Sequence, residues 1–314
     1  MTARRRTLLG IVLVTVTLVA GSGFAAARIR ATDRPAGPAL DPGRAGTLLY
    51  VDGATGRVQQ AAGDRVTGTG PTCQRAYAAA GTLVCLRVDG TPGSTTILAY
   101  GPGMRERASL LAWGTPSRAR VSPSGRLIAW TVFRSGDSYL NNGAFSTTAG
   151  AYDLATGAHY GSLEDFAVTI GGRPYDEVDM NFWGITFARD DRTFYATMSS
   201  KGRLWLLRGD LPGRRLVDVR AGVECPSLSP DGTRIAYKLR TGRHWRLHVL
   251  ALGTGADVAL AETAHVDDQP AWLDPATIGY ARPHRGKPAL FAVPADGTGA
   301  PRLLRPDAAS PAAL

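Results

Sequence analysis

The chain has 314 residues, 44% of them hydrophobic and 20% charged, with 38 glycines and 20 prolines. That is enough for one large domain or two small ones, rich in turns and therefore in short strands. Of the net charge of +10, three units come from Arg4, Arg5 and Arg6. No dense Lys/Arg run with interleaved aromatics follows them, which excludes nucleic-acid binding and leaves a surface of scattered arginines.

The first element is an export segment. Leu8 to Ala27 carry no charge, and Leu8 to Ala20 are the most apolar part. A basic cluster ahead of such a run leaves the N-terminus in the cytoplasm and sends the rest outside. Two readings fit residues 1–27. The short apolar core, Gly21-Ser22-Gly23 and the small triplet Ala25-Ala26-Ala27 suit a cleavable signal peptide. The whole uncharged run is also long enough to stay uncut as a membrane anchor. No cysteine follows it, so a lipoprotein anchor is excluded. The expected location is the cell membrane with an extracellular domain, or secretion if the segment is cleaved. Residues 28–45, rich in Arg, Pro, Gly and Ala, read as a linker.

From 46 to 314 a repeat takes over. Ser122-Pro123-Ser124-Gly125-Arg126-Leu127-Ile128-Ala129-Trp130 matches Ser229-Pro230-Asp231-Gly232-Thr233-Arg234-Ile235-Ala236-Tyr237. Each reads as a strand, a tight turn, and a second strand ending in an aromatic. Weaker copies run from Tyr77 to Leu86, Thr186 to Tyr195 and Ala271 to Tyr280. Anchors at 77, 122, 188, 229 and 272 are spaced by roughly 40–45 residues, the size of a four-stranded propeller blade. The exception is 122 to 188. Its excess is expected between Arg134 and Ser146, with a second part near Ile170 to Asp179, and its polar, Gly/Asn-rich character assigns it to loops that add nothing to the core. Residues 46–67 hold strands with no Ser-Pro copy before them. Ala308 to Ala312, with Ser310-Pro311 as its Ser-Pro copy, is expected to supply the missing inner strand beside Thr47 to Val51. The fold class is therefore all-β, a six-bladed propeller of four-stranded blades closed by its two terminal segments, after an N-terminal apolar helix.

The Ser-Pro-Asp-Gly-Thr-Arg-Ile-Ala-Tyr repeat resembles that of TolB-like six-bladed propellers. Asn181-Phe182-Trp183-Gly184, Glu224-Cys225-Pro226-Ser227 and Val266-Asp267-Asp268-Gln269 look like an actinobacterial TolB-like group with one N-terminal membrane segment. The resemblance implies an extracytoplasmic adaptor that binds partner proteins.

Three cysteines in an exported chain predict one disulfide. Cys73 and Cys85 flank a turn centred near Ala79 and are expected to face each other across a symmetric hairpin. Cys225 is expected to be a buried free thiol. No Gly-x-Ser-x-Gly elbow occurs, and the repeats leave no room for an α/β hydrolase domain. His244 and His248 lie in a strand pattern and His159, His265 and His284 are isolated, so the histidines read as structural, with no metal or cofactor site. The residues just before each inner strand surround the channel mouth. With the 134–146 insertion they suggest a binding surface made of Tyr139, Asp179, Trp183, Glu224 and Asp268. The expected function is a non-catalytic, extracytoplasmic protein-interaction module whose partner is a protein or peptide, with a cell-wall polymer as a second class. The alternative is a carbohydrate-acting enzyme or glycan binder at the mouth. An enzyme would need two carboxylates about 5–9.5 Å apart, drawn from Glu224, Asp267, Asp268 and Asp179.

Overall fold

The computed structural model describes residues 38–88, 93–134 and 145–314. The export segment read from residues 1–27 lies outside these. Among the described residues no helix is long and apolar enough to cross a membrane.

The repeat folds as its turn chemistry dictates. In the strongest copy Gly232 N donates to Ser229 O (2.9 Å), and Arg234 N donates to Ser229 Oγ (2.9 Å). Asp231 accepts from the Ser229 hydroxyl (2.5 Å) and from Thr233 N (3.0 Å). The turn needs a left-handed residue, which Gly232 supplies at φ +74°. Ser122 and Gly125 repeat the arrangement. In the weaker copy at 190–193 Asp191 takes the left-handed position at φ +51°, while the Asp190 carboxylate accepts from Arg192 N and Thr193 N.

Each such turn joins the inner two strands of a blade. Blade 1 holds Arg75–Ala79, Thr82–Arg87, Ser94–Tyr100 and Glu106–Trp113. Blade 2 holds Thr115–Val121, Leu127–Phe133, Thr147–Asp153 and His159–Tyr160. Blade 3 is built on Asn181–Phe187, Thr193–Ser200, Arg203–Asp210 and Arg215–Ala221, and blade 4 on Glu224–Leu228, Arg234–Thr241, His244–Ala251 and Asp257–Ala259. Blade 5 holds Ala271–Asp274, Thr277–His284, Lys287–Pro294 and Arg302–Pro306. Second strands are sandwiched between neighbouring blades, so Leu127–Phe133 is buried at every position. Outer strands face water on one side and alternate, as Arg215–Ala221 does.

Blade 6 closes the ring as expected. Ala308–Ala313 pairs antiparallel with Leu48–Asp52, setting Val51 opposite Ala309 and Leu49 opposite Ala312. The inner strands then contact one another around a full circle, with Ala308–Ala313 touching those of blades 5 and 1. One detail of the repeat shifts. Ser310 has φ +57° at a break in register, as Cys225 does at φ +51°. Ser310-Pro311 is thus the counterpart of Cys225-Pro226 rather than of Ser229-Pro230. The anchor of the last copy is Leu314, 42 residues after Trp272.

Two further expectations need correction. The second part of the insertion is a hairpin, Ala167–Ile170 with Arg173–Tyr175, that extends blade 3 to six strands by parallel pairing with Arg215–Ala221. It does add to the core: Val168, Ile170 and Tyr175 pack into the blade 3 cluster with Leu163 and Phe166. Its polar residues occupy the outward positions of a strand pair, which a composition count does not separate from a loop. Residues 39–45, read as linker, also lie on the propeller. Leu40 is buried among Leu49, Val58 and Leu83, and Ala39 bridges Thr69.

The Cys73–Cys85 disulfide is present, with Cα atoms 5.5 Å apart, and Cys225 is free and buried. The hairpin is not centred where the sequence suggested. Cys85 sits opposite Ala76, and Ala79 opposite Thr82. Cys73 precedes the strand, where Gln74 N still bonds Leu86 O (2.9 Å), and the chain turns back to reach Cys85.

Candidate functional site: the channel and its mouth

The loops that lead into the inner strands and those that join second to third strands share one face, here called the top. The Ser-Pro-x-Gly turns lie on the opposite face. Four of the five residues proposed from sequence for the top mouth are described, and Tyr139 lies outside the described residues.

Asp179 is exposed and accepts from Ser200 Oγ (2.5 Å) and Lys201 N (2.6 Å). These two bonds hold its carboxyl below the ordinary carboxylate value. It ties the end of the insertion to the adjoining hairpin of blade 3. Trp183 is not on a surface: it is 1% exposed. Its ring meets that of Phe145 at 5.2 Å, while Asn181 accepts from Thr147 N (2.8 Å) and donates to Phe145 O (2.9 Å). Trp183 therefore anchors the stem of the inserted loop from below. The cause is local. Gly184, at φ +69°, lets the strand bulge against Cys225, where a Cβ would lie 2.9 Å from the Cys225 Cα, and this turns Trp183 inward.

Glu224 and Asp268 are buried and belong to one charge network. Glu224 accepts from Trp245 Nε1 (2.7 Å) and Asp268 from Ala281 N (3.0 Å). Between them Asp267 meets the fully buried Lys238 ammonium at 2.6 Å and Arg118 Nη2 at 3.7 Å. Burial alone would raise the Asp267 pKa, but these two cations override it and hold the carboxyl below its ordinary value. Burial alone would likewise lower Lys238; the Cys225 sulfur with the Asp267 and Glu224 carboxylates reverses that and keeps it charged. The Lys238 ammonium also lies 4.6 Å from the Trp245 ring centre.

Above this network the mouth opens into a concavity of about 530 Å³ bordered by Arg75, His265, Asp267, Asp268, Arg282 and Lys287. Below it the channel narrows between Ser117, Arg118, Arg120 and Gln269. Sequence reasoning passed over Arg118, Arg120 and Lys238 as site residues. The signal was present: Arg118 and Arg120 interrupt an inner strand at a spacing of two, and Lys238 follows the repeat's aromatic, Tyr237, within a second strand.

A closed ring of six blades around a channel lined with paired charges defines the class, a six-bladed β-propeller. No protein-family model matches the sequence, and no curated protein does. Solved structures do. TolB from Acinetobacter baumannii is similar at 16% identity and a TM-score of 0.63, over 85% of this chain and 66% of that one. The chain thus spans just under two thirds of that TolB's length. A candidate TolB from Agrobacterium tumefaciens is similar at 12% identity and a TM-score of 0.50, over 82% of this chain and 87% of that one. A chain of a nidogen/laminin complex is similar at 11% identity and a TM-score of 0.53, over 85% and 98%. The fold is that of TolB-like propellers. Because one propeller fold serves many chemistries, function has to be argued from the site.

Proposed function

We propose that the chain is an exported, non-catalytic propeller that holds a protein or peptide partner at the top mouth of its channel. The observation that carries this reading is the engagement of the mouth carboxylates among the described residues. Glu224 and Asp268 are committed to Trp245 and the Ala281 amide, and Asp267 to Lys238 and Arg118. A glycosidase acid must keep its proton near neutral pH, which requires a raised pKa. Asp267 is shifted the other way. What remains is a rigid rim carrying both signs of charge, where Arg75, Arg282 and Lys287 border the same concavity as Asp267 and Asp268, with Arg282 paired to Glu262 and Lys287 to Asp307. Such a rim selects a complementary polypeptide through electrostatics and shape. The disulfide suits an oxidising compartment, as does the export segment read from residues 1–27.

The test is to cross-link intact cells of the source organism, recover the partner, and titrate it against the wild type and an Arg75→Glu/Lys287→Glu variant. Both side chains border the mouth without forming its core. Affinity is expected to fall at least tenfold with the melting temperature unchanged. Unaltered affinity in a folded variant overturns the assignment.

A further inference from the structure

The opposite end of the channel holds a separate feature that the top mouth does not explain. Where the inner strands end, a cavity of about 180 Å³ is walled by Tyr77, Phe187, Leu228 and Trp272. Its rim includes the exposed Pro123 and Gly232, so it opens to solvent on the turn face. Arg120 also lines it, although only 6% of that residue is exposed. Arg120 Nη2 donates to Pro270 O (2.5 Å) and more weakly to Ser227 Oγ (3.4 Å). The guanidinium lies 4.3 Å from the Tyr77 ring centre. Its Nε has no hydrogen-bond acceptor among the described residues.

A buried guanidinium with a spare donor is costly unless something accepts from it. Its neighbour Arg118 shares Asp267 with Lys238, and Asp268 is committed to the Ala281 amide. Among the described residues no carboxylate lies within ion-pairing distance of Arg120. Burial pulls its pKa below the ordinary arginine value, the direction a bound anion would oppose.

We propose that this cavity binds the carboxylate of a small monoanion with an apolar body. The carboxylate pairs with the positive charge of the Arg120 guanidinium and accepts from the Ser227 hydroxyl, and the body lies against Phe187, Leu228 and Trp272. Charge sets the sign, because the lining holds two basic side chains, the buried Arg120 and the exposed Arg189, whose Nε donates to Pro230 O (2.6 Å), and no acidic one. Size sets the class: the cavity is smaller than the roughly 300–1,000 Å³ typical of drug-sized ligands. A free aromatic acid and the C-terminal residue of a peptide share this chemistry.

Calorimetry on the full-length protein tests the proposal with benzoate, benzyl alcohol, and the peptide Gly-Gly-Phe with a free or an amidated C-terminus. Benzoate or the free peptide is expected to bind at least tenfold more tightly than its neutral counterpart. Preference for benzoate identifies a free acid as the ligand, and preference for the peptide a chain terminus. Arg120→Gln should weaken binding at least tenfold. Equal binding of charged and neutral probes, or binding by neither acid, overturns the proposal. Should Arg120→Gln fail to fold, wild-type crystals soaked with 4-bromobenzoate decide. A bromine peak in this cavity with the carboxylate on Arg120 supports the site, and bromine elsewhere or absent sinks it. Binding at the top mouth would persist in Arg120→Gln and fall in Arg75→Glu/Lys287→Glu, so failure of this proposal and failure of the partner site are distinguishable.

Discussion

Asp153 sits almost fully buried with Arg126 Nη2 at 2.6 Å, and its Oδ1 also accepts from Ala155 N. The Arg126 hydrogen bonds, more than any other contact, hold its carboxyl far below the ordinary value. Asp231, bonded by Ser229 and Thr233, is lowered to about 2, and Asp267 is lowered by Lys238 and Arg118 against its own burial. A carboxyl with a depressed folded pKa adds stability that is complete above its unfolded value of about 3.9 and is lost as pH falls through the folded value. These three groups therefore leave stability flat from pH 7 to about 5 and remove it progressively below about pH 4. Melting temperatures measured from pH 7 to 2 should show that shape, and Asp153→Asn should flatten the acid limb. Trp183 belongs to the same scale. As a buried tryptophan under a loop stem, Trp183→Ala is expected to cost about 3–5 kcal/mol in urea unfolding. A cost under about 1 kcal/mol would show that the ring is not core. Sequence assigns this residue to the mouth surface, whereas the structure buries it, because one left-handed glycine decides which way the side chain turns.

Among the elements, the inner hairpin of blade 1 carries the disulfide. Cross-linking residues 12 apart in sequence removes loop-closure entropy from the unfolded chain, and Cys73→Ala/Cys85→Ala is expected to lose about 2–4 kcal/mol. Non-reducing peptide mapping should link these two cysteines and leave Cys225 alkylatable only after unfolding. A bridge containing Cys225 would contradict the structure. The pairing was legible from spacing and compartment. The register was not, because the turn falls at Ala80-Gly81, both left-handed, rather than at Ala79. The segment Ile170 to Asp179 likewise reads as loop in the sequence, although its first part belongs to the hairpin of Ala167–Ile170 with Arg173–Tyr175. That hairpin's pairing partner, Arg215–Ala221, lies 48 residues downstream in register, and parallel pairing across that distance leaves no local pattern.

For the whole molecule, closure is the decisive contact. Ala308–Ala313 is the inner strand of blade 6 and touches the inner strands of blades 5 and 1. Removing residues 308–314 would expose the Leu48–Asp52 edge and open both neighbouring interfaces. The truncated protein is expected to yield no folded monomer, seen as loss of the cooperative thermal transition and as aggregates in size-exclusion chromatography. A truncation that melts within a few degrees of the wild type would mean the ring does not depend on this strand. The same closure gives the channel its two unlike ends: a wide mouth bordered by charged side chains at the top, and a smaller cavity of mixed polar and apolar lining with one buried arginine at the turn face.

The sequence by itself determined the blade count, the ring closure and the disulfide, because each rests on a short-range rule repeated along the chain. Ser-Pro-x-Gly fixes a turn through its own hydroxyl and a left-handed glycine. A spacing of 40–45 residues fixes a four-stranded unit. Two cysteines around one turn fix a bond. Only the tertiary structure decided what lines the channel. Arg118 and Arg120 on blade 2, Lys238 on blade 4 and Asp267 ahead of blade 5 are up to 149 residues apart, and they meet because six inner strands converge on one axis. Whether a charge there is paired or left with a spare donor depends on those convergent neighbours, and no local pattern in the chain encodes them.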